Sequence, residues 1–110
     1  MEEEILLSGI FRLDVSCRLA YVKGRKLRLR NKEFLLLEYF LKNVGRVISR
    51  TQLLEDVWDR NICCATNTVD VHVSSLRQKI RSTSRFDCIK TIYCVGYVFK
   101  TLSKDMLKNA

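Results

Sequence analysis

The chain has 110 residues, 47% of them hydrophobic, which suits one domain around one core and is too apolar for a disordered segment. Its formal charge of +8, from 20 basic and 12 acidic groups, favours polyanions, nucleic acid first and an anionic membrane surface second; a merely soluble basic domain is the plainer alternative. No run approaches the roughly 18 apolar residues that span a bilayer, and the start MEEEILLSGIF is acidic where a secretory signal is basic, so export is not expected.

The five cysteines, Cys17, Cys63, Cys64, Cys88 and Cys94, are odd in number and include no CxxC spacing. That disfavours a disulfide framework or a zinc finger and fits reduced thiols in a cytoplasm. The vicinal pair Cys63-Cys64 admits a thiol-sensing role, against the plainer reading of small loop or core residues.

In chain order, Ile5–Leu7, Ile10–Leu13, Arg18–Val22 and Lys26–Leu29 read as short strands, broken by the turn-like pairs Ser8-Gly9 and Lys23-Gly24 and by 14–16. Lys23-Gly24 is expected to close a hairpin. A helix follows over about Lys32–Asn43, with Phe34, Leu37, Leu41 and Val44 near one stripe and Leu36, Tyr39 and Phe40 widening it. This is the expected central, buried helix. Asn31 is a better N-cap than Arg30, because its side-chain oxygen accepts a backbone N–H, and Gly45 suits the C-terminal stop.

Val47-Ile48 allows only a small strand. Ser49 and Gln52 then form a capping box opening a second helix through Leu53, Leu54, Val57 and Trp58. Residues 59–65 break the pattern as a loop, and Thr66 or Asn67 caps the third helix, expected over 66–81. Asp70 falls in its first turn, where a negative charge suits the helix dipole. The stretch 81–87 reads as a polar loop, and Cys88–Ile92 and Tyr97–Thr101 as paired strands around 93–96. The expected organisation is a single domain over 1–110, with an N-terminal sheet at 5–29, a three-helix core at 32–81 and a hairpin at 88–101.

The third helix carries the chemistry. Val69, Val73, Leu76 and Ile80 recur at i, i+4, i+7 and i+11, one apolar stripe. The opposite face carries Asn67, Val71, Ser74, Ser75, Gln78 and Arg81, nearly all groups that bond to bases or phosphates. Two helices joined by a loop and followed by a hairpin are the parts of a winged helix-turn-helix, an α+β fold. The major groove, about 12 Å wide, accepts one helix. The preceding helix aims its N-terminal dipole, Ser49 and Arg50 at the phosphate backbone. The hairpin, with Lys90, Thr91 and Tyr93, reaches toward the neighbouring minor groove.

The runs GRVISRTQLLEDVWD, TNTVDVHVSSLRQKI and IKTIYCVGYVF closely resemble the C-terminal DNA-binding domain of OmpR/PhoB-type response regulators, in the same order and with similar spacing over residues 5–101. The resemblance implies an N-terminal antiparallel sheet, three helices and a C-terminal wing. It implies transcription regulation as the output of a two-component phosphorelay, or as a stand-alone relative, on double-stranded DNA with direct repeats bound as head-to-tail dimers. It also implies contact with RNA polymerase through the 59–65 loop. Carried over by position, backbone contacts fall on Arg50, Trp58, Arg77, Thr91 and Tyr97, and base-reading or groove-facing positions on Asn67, Thr68, Val71, Ser74 and Ser75. Gln78, Arg81 and Tyr93 complete the expected DNA-binding set. Val71 offers an apolar contact to a thymine methyl. The chain departs from the family in three places. Ser74 and Ser75 stand where Arg is common, Tyr93-Cys94 replaces an Arg-Gly pair in the wing, and Arg30 replaces a Thr cap.

Trp58 has a large area to bury and is expected to pack at the edge of its helix while its N–H remains available to a phosphate. His72, the one histidine, is expected to pack and hydrogen-bond rather than bind metal or sense pH. Enzymatic readings lack parts: no convincing Ser/His/Asp set, no P-loop and no GxGxxG run are present. No cofactor or metal is expected. No stretch before the sheet offers an acidic phosphorylation pocket, so an excised output domain or a stand-alone regulator is expected. The alternative reading is a protein-interaction winged helix that contacts polymerase or a partner regulator and binds DNA weakly.

Overall fold

The structure is a computed structural model that describes residues 5–58 and 67–100. The 59–65 loop, Cys63-Cys64 and the Thr66 cap fall outside these residues. Four short strands, β1 (Ile5–Ser8), β2 (Phe11–Asp14), β3 (Leu19–Val22) and β4 (Arg25–Leu27), form an antiparallel meander in chain order. Alternation sets its faces: Phe11, Leu13, Ala20 and Val22 are buried, whereas Arg12 points to solvent. The Lys23-Gly24 hairpin forms as expected. Val22 pairs with Arg25, and both turn residues have positive φ (52° and 77°), the geometry that matches strand twist. Strand β4 stops at Leu27, two residues short of the expected end.

Helix α1 (Asn31–Lys42) buries Phe34, Leu36, Leu37, Phe40 and Leu41. Its cap differs from the expectation. Arg30 is the N-cap, and the Glu33 carboxylate accepts its backbone N–H at 2.8 Å. Asn31 is the first helical residue, and its side chain instead accepts from Arg18 Nη1 at 3.2 Å. Val44, expected on the buried stripe, is 38% exposed because the helix has ended before it.

Helix α2 (Arg50–Val57) begins as its sequence signal predicts, with Ser49 Oγ accepting the Gln52 N–H at 3.1 Å. The reciprocal half of the box is not made: Gln52 Nε2 donates to the Tyr39 hydroxyl on α1 at 3.1 Å. Helix α3 (Asn67–Ser84) runs three residues beyond its expected end. Ser84 is buried. Its hydroxyl donates to the Ile80 carbonyl at 2.8 Å and accepts the Phe86 N–H at 3.1 Å, so the polar run RSTS closes the helix instead of leaving it. Arg85, at φ 66°, turns the chain away.

The second sheet holds β5 (Val47–Ser49), β6 (Ile89–Ile92) and β7 (Gly96–Phe99) in the order β5-β7-β6. The expected hairpin is therefore one part of a three-stranded sheet, with β7 in the middle. Gly96 permits this: a Cβ there would lie 2.0 Å from the Ile48 carbonyl oxygen. Phe99 joins the layers, edge-on to Phe11 of the first sheet (5.2 Å between centroids) and stacked on Phe40 of α1 (5.8 Å). Among the described residues, no helix is long and apolar enough to cross a membrane.

Candidate nucleic-acid interface

The apolar stripe of α3 is buried as its spacing predicts: Val69, Val73, Leu76 and Ile80 are all at most 1% exposed. On the opposite face Asn67, Val71, Ser74, Gln78 and Arg81 are all exposed, with Val71 at 64%. The same 3.6-residue period thus fixes the helix to the core and presents a continuous outer ridge.

Ser75 lies at the edge of that ridge and turns inward. Its hydroxyl donates to Glu33 of α1, as does Lys79 Nζ at 2.5 Å. Glu33 is 1% exposed, and burial alone would raise its pKa. The hydrogen bonds from Lys79, Ser75 and the Arg30 N–H outweigh burial and hold it below its ordinary value. Glu33 thereby ties the start of α1 to the middle of α3 and fixes the outer ridge in rotation. Its sequence signal was its place as the acid three residues after a cap.

Four residues far apart in sequence, Arg50, Arg77, Thr91 and Tyr97, meet on the wing side of α3. Asp70 joins them: its Oδ1 accepts from Arg50 Nε at 2.7 Å and from the Tyr97 hydroxyl at 2.5 Å. Arg77 Nη2 donates to Thr91 Oγ1 at 2.8 Å. The guanidinium carbons of Arg50 and Arg77 lie 5.7 and 5.9 Å from the centroid of the Tyr97 ring. Burial raises the Tyr97 phenol, and its bond to Asp70 adds to the effect, so the hydroxyl stays a donor. Burial would also raise Asp70, but Tyr97 and Arg50 together keep it below its ordinary value. The cluster fastens the wing to α3 and the start of α2, with the side chain of Arg50 still one-third exposed. By sequence alone, Asp70 carries only a helix-dipole role. The buried phenol of Tyr97, which needs a partner, was the signal for the bridge.

Trp58 stands apart from this cluster. It is 9% exposed, edge-on to His72 at 5.2 Å, with Lys32 Nζ 5.6 Å from its ring centroid. His72 Nδ1 donates to the carbonyl of half-buried Thr68 at 2.8 Å. Tyr93 sits at the wing tip, 89% exposed, beside Cys94 at φ 61°. Lys90, also exposed, has Asp87 at 3.7 Å.

A helix-turn-helix core with a sheet on one side and a strand hairpin flanking its third helix defines the winged-helix class. The family model described as "Transcriptional regulatory protein, C terminal" matches residues 24–99, and the chain belongs to this family, the DNA-binding output domain of OmpR/PhoB-type response regulators. Among curated relatives, the sensory transduction protein RegX3 of Mycobacterium tuberculosis is 44% identical over 82 residues, 74% of this chain and 36% of that protein. The phosphate regulon transcriptional regulatory protein PhoB of Rhizobium meliloti is 39% identical over 93 residues, 84% of this chain and 41% of that protein. The DNA-binding domain of the response regulator AdeR, solved in complex with an intercistronic region, shares the fold. Its TM-score is 0.79 at 23% identity, over 88% of this chain and 99% of that one. The chain spans less than half the length of the curated relatives it matches.

Proposed function

We propose that this chain binds double-stranded DNA in a sequence-specific manner to regulate transcription, as the output unit of a two-component response regulator or a stand-alone relative. The observation that carries this reading is the exposed ridge Asn67–Val71–Ser74–Gln78–Arg81, rigidly backed by a fully buried stripe and flanked by a wing. In this reading residues 1–110 act as one winged-helix unit in the cytoplasm, without enzymatic activity. The ridge reads base edges, and Val71 meets a thymine methyl. Arg50, Trp58, Arg77, Thr91 and Tyr97 border the phosphates, Tyr97 also holding Arg50 and Arg77 in place, and Tyr93 reaches from the wing tip. Two copies pair on direct repeats, each site raising the effective concentration at the other, and the 59–65 loop meets RNA polymerase.

Selection of the purified protein against random duplex DNA at two salt concentrations tests this. Enrichment of a direct repeat, with affinity falling steeply in salt, is the expected result. Weak, unselective binding that survives only at low salt would reject it in favour of a protein-interaction module. One observation favours that second reading: Asp70 already pairs with Arg50, and Ser75 with Glu33, which leaves fewer groups for DNA. Arg77→Ala with Asn67→Ala separates the two, because loss of duplex binding with polymerase or partner-regulator binding intact supports the DNA reading.

A further inference from the structure

The flank of α3 opposite the wing holds a basic trough that the proposed docking does not use. Ser75 and Lys79 each lie two positions from Arg77, a rotation of about 200° around the helix. Arg77 reaches the wing, so Ser75 and Lys79 face away from it, toward α1 and β4. There, Lys26 and Arg28 line a groove of about 560 Å³ together with Gln78, Lys79, Ser82 and Thr83. Through Gln78 and Ser82 it continues into the hollow beside Ser74 and Arg81 at the end of the outer ridge. Through Thr83 it continues past Lys23, Arg25 and Arg85. Among the described residues, no acidic one lines any of these three stretches.

Among the described residues, the charges of Lys26 and Arg28 in the trough have no ion-pair partner. Among the described residues, the ion pairs engage Lys42, Arg50, Arg77, Lys79 and Lys90. Lys26 and Arg28 are exposed and enter none of them. Lys79 is neutralised by Glu33 and serves to hold the wall.

We propose that this trough is a second phosphate lane, in which Lys26 and Arg28 grip the DNA strand on the side of α3 away from the wing. The inference rests on the DNA-binding reading above. An α-helix with its side chains is about 10–12 Å across, and the major groove is about 12 Å wide. A helix seated there brings both flanks to a sugar-phosphate wall. One flank carries Arg50 and Arg77, and the trough supplies cations on the other. Its continuity with the outer ridge favours the bound duplex over an acidic protein segment, which would have no reason to share the Gln78 end.

The test measures log affinity against log salt for the selected duplex, with the parent, Lys26→Ala, Arg28→Ala and the double variant. Arg12→Ala, exposed on the outer face of β2, is the control for loss of one charge. Each single variant is expected to shrink the salt slope by about 0.9 and the double variant by about 1.8, the ranking of DNA sites staying unchanged. An unchanged slope, or an equal change in Arg12→Ala, overturns the second lane and leaves the DNA-binding reading intact. Failure of the parent to bind any duplex removes both. Unchanged duplex binding combined with loss of poly-glutamate binding in the double variant overturns the lane in favour of an acidic protein partner. Circular dichroism of each variant verifies the fold, which these exposed side chains do not support.

Discussion

A buried carboxylate with three donors around it is a strong local constraint, and Glu33 is one. It is charged, almost wholly enclosed and shared between two helices. Glu33→Gln keeps the shape but loses the charge that Lys79 answers, and is expected to cost about 1–3 kcal/mol of stability, read by urea unfolding at neutral pH. The same residue contributes to acid sensitivity. Its folded pKa lies below its ordinary value of 4.5, so its contribution is complete above that value and is lost as pH falls through the lower, folded value. The loss of stability between neutral pH and the acid range should therefore be smaller in Glu33→Gln than in the parent. An equal acid loss in both would remove Glu33 as a contributor. Asp70 follows the same sign, but its side chain is 39% exposed and solvent screens it, so a smaller effect is expected there.

Elements show how one helix serves two purposes. Leu76 and Val71 are both apolar residues of α3, yet one is at 0% exposure and the other at 64%. Leu76→Ala is expected to cost about 2–5 kcal/mol because it leaves a cavity. Val71→Ala should change stability by no more than about 0.5 kcal/mol while altering which duplexes are enriched in selection. Thermal unfolding paired with selection separates the two effects, and the reverse pattern would mean that the ridge and the core stripe have been exchanged. The wing sheet depends on a different contact. Gly96→Ala forces a methyl against the Ile48 backbone, where neither atom is a movable side-chain end. A loss of about 1–3 kcal/mol is expected, with exchange protection falling first in β5 and β7. Parent-like protection in both strands would show that the backbone yields without cost.

At the level of the molecule, the two sheets and helix α1 share one aromatic junction. Phe99 touches Phe11 in the first sheet and Phe40 in α1 while it ends the central strand of the wing sheet. Phe99→Ala is expected to cost about 3–5 kcal/mol. It should lower the thermal midpoint of both sheets in a single transition, measured by far-UV circular dichroism and by amide exchange resolved to each sheet. Separate transitions would show that the wing sheet folds on its own. The net charge of +8 acts at this scale too. It draws the protein to any polyanion, while the placement of cations beside the α3 ridge decides what that attraction can be used for.

Periodicity and capping are local properties, and most of what they govern was legible from the chain, Val44 past the end of α1 and Ser75 turned inward to Glu33 being the exceptions. The buried stripe of α3, the Lys23-Gly24 hairpin, the Ser49 cap and the apolar face of α1 each depend on residues within a few positions of one another. The exposed ridge followed from the same rule, because a helix that buries one side must show the other. What stayed hidden required partners distant in sequence. Val47–Ser49 is the small strand its sequence allows, but its place beside β7 depends on Gly96, which lets the two backbones approach. Asn31 was the better cap by propensity, but Glu33 satisfied the Arg30 N–H while Lys79 and Ser75 of α3 balanced its charge. Helix α3 outran its expected end because Ser84 found buried backbone partners. The bridge from Asp70 to Arg50 and Tyr97, and the alignment of Lys26 and Arg28 beside Gln78, exist only once the strands and helices are packed. Short-range spacing sets which face of an element is apolar; long-range packing chooses the neighbour of each polar group, and in this protein those neighbours shape the charged surface around α3.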